Sequence, residues 1–135
     1  MISDLVFLNG SAPEDILDAE EGEEVGVWFR AKNIEMIALS KLGEKLGVEG
    51  YKELMSGFRP AVDPEGESVI LTFPKSLQSK LACLTDSEIE SVSKVWAGID
   101  EFDGHASVDS LVNYLKAVRE YLSGVDEPVY LLMAI

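Results

Sequence analysis

Hydrophobic positions along this chain change period several times, and each change marks an element. Residues 4–8 are a short apolar run stopped by Asn9-Gly10, a strong turn pair. Ser11 then stands as an N-cap, with Pro13 in the first turn and Glu14 and Asp15 placed favourably against the helix dipole. The brief helix this predicts carries Ile16 and Leu17 and dissolves into Glu20-Glu21-Gly22-Glu23-Glu24. Val25, Val27 and Phe29 alternate with Gly26, Trp28 and Arg30, the period-two pattern of a strand.

From about 31 to 46 the period becomes helical, with Ile34, Ile37, Ala38 and Leu42 on one stripe and Gly47 as the stop. A second short helix carries Tyr51, Leu54 and Met55 and ends near Gly57, and 59–67 is turn chemistry around Pro60, Asp63, Pro64 and Gly66. Residues 69–73 (Val-Ile-Leu-Thr-Phe) are unbroken and β-rich, as a buried strand would be. Pro74 opens a helix presenting Leu77, Leu81 and Leu84. Thr85-Asp86-Ser87-Glu88 is a capping box, and behind it Ile89, Val92, Trp96 and Ile99 form one stripe over 86–98. Ser107 caps a helix over 108–123, whose stripe runs from Val108 through Leu111, Leu115 and Val118 to Leu122 before Gly124. Residues 129–135 close as an apolar strand.

Strands and helices without a regular βαβ alternation predict an α+β fold. In it, helices at about 31–46, 86–98 and 108–123 are packed on a small sheet including 69–73 and 129–135, with residues 1–135 as a single globular domain.

Composition adds one unusual number. Eleven Lys and Arg against 25 Asp and Glu give a net charge of −14, while 47% hydrophobic residues exclude a disordered chain. So acidic a surface repels nucleic-acid phosphates and anionic lipid. The longest apolar runs fall far short of the roughly 20 residues of a membrane helix. No basic residue precedes the first apolar stretch, so a secretory signal is not expected and the chain reads as cytoplasmic. One Cys and one His exclude a disulfide framework and a Cys/His zinc site. Cys83, between Ala82 and Leu84, reads as a small buried hydrophobe. P-loop, dinucleotide-binding and nucleophile-elbow patterns are absent, and no cofactor is expected.

Asp100, Glu101, Asp103 and His105 crowd the loop joining the last two helices. Aligning Gly104 with the sixth position of an EF-hand puts Ile99 and Ser110 where carboxylates are required, so that pattern fails. His105 there reads either as a general base or ligand oriented by neighbouring carboxylates, or as an exposed loop residue. Trp28 falls on the polar parity of its strand beside Arg30. It is an exposed aromatic anchor if one face of the sheet is open, and core if both are covered.

Location sharpens the charge. Residues 1–24 hold eight acids and no Lys or Arg, and residues 86–110 hold seven acids and one base. The leading expectation is a non-enzymatic protein-binding module, such as an inhibitor or immunity-type antagonist of a basic toxin or nuclease. It would use Glu20, Glu21, Glu23 and Glu24 with Trp28 and Arg30. Against it stands acidity that serves solubility alone. One alternative is a small-molecule or metal site in loop 100–107 centred on His105. The other is a structural homodimer sealed through strand 129–135, were that strand left on an edge.

Overall fold

The computed structural model describes residues 2–7, 27–32, 34–61, 68–125 and 127–134. Side chains are described from Ile34 onward, so for the first two strands only the backbone is used. The predicted helix near Ser11 and the acidic run Glu20–Glu24 lie outside the described residues.

The fold is α+β. Four strands, β1 (Ile2–Phe7), β2 (Val27–Lys32), β3 (Ser68–Thr72) and β4 (Val129–Ala134), form one antiparallel sheet in the order β2-β1-β4-β3. The pairing of 69–73 with the final strand is as the hydrophobic pattern predicts. The position of β4 is not that of an edge, because its residues pair with β1 on one side (Leu131 with Leu5) and β3 on the other (Leu131 with Leu71). A dimer seam along 129–135 is therefore closed off: its backbone groups already face strands on both sides.

Alternation along β4 decides which face meets the helices. Val129, Leu131 and Met133 join the helical core together with Leu71, while Tyr130 and Leu132 are half-buried on the opposite face. Adjacent Ile70 and Leu71 point to opposite faces and are 0% and 6% exposed. Burial from both sides explains why 69–73 shows no polar alternation.

Among the described residues five α-helices cover the core face: α1 (Met36–Lys45), α2 (Tyr51–Gly57), α3 (Lys75–Ala82), α4 (Asp86–Trp96) and α5 (Val108–Leu122). α1 starts five residues later than its periodicity predicts. Ala31 and Lys32 continue β2, with Lys32 opposite Ile2, and a ladder partner outweighs helical preference there. The helix begins instead at Glu35, whose carboxylate accepts the amides of Ile37 (2.9 Å) and Ala38 (3.0 Å). Ile34 and Leu39, at the staple positions either side of that cap, are both buried. α4 starts with the reciprocal Thr85–Glu88 capping box read from the sequence.

Packing is tightest where α1, α2 and α3 meet. A Cβ at Gly43 would lie 2.6 Å from one Leu54 methyl and 3.2 Å from a Leu77 methyl, so glycine is what lets these helices approach. Trp96, fully buried on α4, donates its indole N–H to Ala38 O at 2.9 Å and ties α4 to α1. Gln78 is buried on α3, donates to Glu127 O at 2.9 Å and accepts the Val129 amide at 3.3 Å, anchoring the entry to β4.

Cys83 corrects an expectation. It is the C-cap of α3 and is exposed, because the apolar stripe of that helix passes through its neighbours Leu81 and Leu84 instead.

Candidate functional site

The loop between α4 and α5 begins with a single 3-10 turn at Asp100–Phe102, whose buried Phe102 packs edge-on against Trp96 with ring centres 5.3 Å apart. Asp103 and Gly104 then adopt left-handed backbone (φ 48° and 73°), reversing the chain toward Ser107. For Asp103 that conformation carries a steric cost, which its short polar side chain lowers.

This geometry separates the four residues that the sequence groups. The Glu101 carboxylate turns toward α1 and binds Lys41 at 2.5 Å. Their hydrogen bond is the main reason that Lys41 is raised above the ordinary lysine value and Glu101 is held below the ordinary glutamate value. Asp103 and His105 stand side by side in solvent, 94% and 86% exposed, with 3.9 Å between Oδ2 and Nε2. Asp100 is exposed and borders a shallow polar groove with Lys41, Lys45 and Tyr51. Among the described residues, no three His, Cys, Asp or Glu side chains are grouped closely enough to hold a metal ion. A metal centre on His105 thus lacks the converging donors it requires.

His105 does border a cavity of about 250 Å³, floored by Ile34, Phe102, Leu111 and Tyr114 and rimmed by Ser107 and Ser110. Ser107 is committed to the helix cap: its hydroxyl donates to Ser110 Oγ at 2.8 Å and accepts the Ser110 amide at 3.0 Å. Burial pushes the Tyr114 hydroxyl well above the ordinary tyrosine value, so it stays protonated. The arrangement is a half-apolar hollow rather than a nucleophile and base.

The second acidic zone is partly neutralised by the fold. Asp86 binds Arg119 at 2.8 Å and Glu88 binds Lys80 at 2.7 Å. The Arg119 hydrogen bond lowers the Asp86 carboxyl. The Lys80 hydrogen bond, then the Thr85 amide, brings Glu88 down from 4.5 to about 2. With Lys41 on Glu101, three of that zone's carboxylates have cations brought from α1, α3 and α5. The sequence pattern does not reveal the Lys41 and Arg119 pairs because those partners are far from Glu101 and Asp86 in the chain, whereas Lys80 is only eight positions from Glu88.

Trp28 and Arg30 lie on β2, an edge of the sheet. The register puts Phe29 in line with Leu5, Leu131 and Leu71, the row that reaches the helical core. Trp28 falls in line with Val6, Tyr130 and Thr72, and Arg30 with Asp4, Leu132 and Ile70. Those two rows belong to the face away from the helices. Val95, outside the α4 stripe, is the one large hydrophobic residue exposed among the described residues, at 56%. It flanks a groove with Lys45, Leu46 and Val92, and its only signal in the sequence is its departure from helical period.

No helix among the described residues is long and apolar enough to cross a membrane. Compared with protein-family models, curated proteins and solved structures, the chain matches none.

Proposed function

We propose that this protein is a small cytoplasmic binding module, without catalysis of its own, whose acidic surface engages a basic protein. An inhibitor or immunity-type antagonist of a basic toxin or nuclease has this character. One contrast supports the reading. The carboxylates of 86–110 are in part answered by Lys41, Lys80 and Arg119, whereas residues 1–24 hold eight acids with no Lys or Arg of their own. That run leads directly into β2, where Trp28 and Arg30 supply an aromatic and a hydrogen-bonding group of the kinds enriched at interfaces. Attraction of this kind acts over about 8 Å at physiological salt and weakens as salt rises.

The test is retention of native-lysate proteins on the immobilised chain at low and high salt. A parallel column carries Glu20, Glu21, Glu23 and Glu24 all changed to Gln. A basic protein retained at low salt, released at high salt and lost on the Gln column is the expected result. Retention of no basic protein at low salt overturns the reading, as does equal retention on both columns.

A further inference from the structure

The hollow beside His105 has a floor that is held in place. Phe102 and Tyr114 both pack on the ring of Trp96, with centres 5.3 and 6.1 Å away, and Trp96 is itself fixed by its bond to Ala38 O. Buried Ile34 and Leu111 complete the floor. Side chains packed this closely cannot collapse into the space above them without losing their own contacts. The lip is held as well. The His105 amide donates to Phe102 O at 2.8 Å, which brings the residue to the mouth of the hollow. Across the mouth the Ser107 hydroxyl donates to Ser110 Oγ, leaving the Ser110 O–H free to donate in turn.

We propose that this hollow binds a small uncharged molecule, a single ring bearing one hydroxyl or amide group. Size sets the first limit. About 150 Å³ is enough to hold benzene, and pockets for drug-sized ligands start near ~300 Å³. The hollow, at about 250 Å³, takes one ring and a short substituent. Charge sets the second. Among the described residues that line it, only His105 can carry charge near neutral pH, because the Tyr114 hydroxyl stays protonated. An ion lowered against Ile34, Phe102 and Leu111 would give up its water with no counter-charge beneath it. An anion meets two further obstacles: Asp103 Oδ2 lies 3.9 Å from His105 Nε2, and the whole chain carries a net charge of −14. Polarity sets the orientation. The floor is apolar, while His105, Ser107 and Ser110 stand at the rim, so the ring faces inward and its polar group meets the imidazole or the Ser110 hydroxyl. An apolar floor supplies affinity and a few rim groups supply orientation in small-molecule sites generally. The inference does not depend on the basic partner proposed above.

Amide chemical shifts of the whole nitrogen-15-labelled chain, titrated with benzyl alcohol, read the site directly. Parallel titrations with benzoate and benzylammonium keep the ring and change only the charge. The expected result is saturable binding of benzyl alcohol in about the millimolar range, with shifts centred on Ile34 and residues 102–114. Both ions should bind at least ~10-fold more weakly. Ala106→Leu puts a branched side chain into the hollow and should weaken benzyl alcohol at least ~10-fold. No saturation by ~10 mM overturns the inference, as do shifts centred elsewhere, binding indifferent to Ala106→Leu, or an ion that binds as tightly as the alcohol. Should circular dichroism show Ala106→Leu to be unfolded, Ser110→Leu narrows the mouth from an exposed position, and the same loss is required of it.

Discussion

Around Gly43 three helices meet with no spare volume, whereas a few residues beyond Trp96 the chain leaves Asp103 and His105 almost wholly in solvent. The first is a junction of three helices, the second a connection between two. The first is specified by residues with no chemistry to advertise: a glycine, two leucines, and an indole whose N–H reaches Ala38 O. The second holds the chain's only imidazole and a cluster of carboxylates, and the fold disperses them. Chemical distinctiveness in the sequence and constraint in the structure are separate properties here, and substitutions tell them apart.

The largest effect is expected at Trp96. Trp96→Ala removes a wholly buried ring and its hydrogen bond, and should cost about 3–5 kcal/mol, read as a lower denaturant midpoint with an unchanged slope. Gly43→Ala adds one methyl group where Leu54 and Leu77 already stand, and should cost about 1–3 kcal/mol. If it is neutral, the three-helix junction is looser than its contacts imply. Thr85→Ala breaks one arm of the α4 capping box, for about 1 kcal/mol.

A smaller effect is set by pH. The Glu88 carboxyl sits at about 2 against an ordinary 4.5, so its folded-state value is depressed. The stability it supplies is complete above 4.5 and is lost as pH falls toward 2. Urea midpoints of the native chain should therefore fall across that window more steeply than those of Glu88→Gln. The smallest effect is at His105, where His105→Ala should stay within about 0.5 kcal/mol of the native chain in the same urea titration.

Much of the local structure was legible. The strands among the described residues overlap the stretches that alternation or an unbroken apolar run marks, although β2 runs on past Arg30 into the expected helix, and the helices after Pro74 start at the proline, the capping box and Ser107. Periodicity and capping are local signals, and local signals survive folding when tertiary contacts agree with them. What escaped was decided at a distance. The start of α1 is set by the Lys32–Ile2 ladder, and Gln78 is buried because β4 arrives with a carbonyl and an amide to satisfy. Glu101 leaves its neighbours for a lysine sixty positions earlier in the numbering. The candidate site suffered most, since a site is a long-range arrangement and the loop's grouping in sequence carried no information about where its side chains point.

The order β2-β1-β4-β3 also bears on how the chain reaches this state. Phe7 pairs with Val129, so the whole stretch between them must be synthesised before β1 finds one of its two neighbours. Until then β1 and β3 wait on opposite sides of an empty slot, each with an unsatisfied edge, while the helices between them can already form. Closing so long a loop is entropically slow and rewards nothing until the last strand docks. The sheet is thus completed as a zipper closed by its middle tooth, which places the period of greatest aggregation risk just before β4 arrives and makes chaperone protection most valuable then.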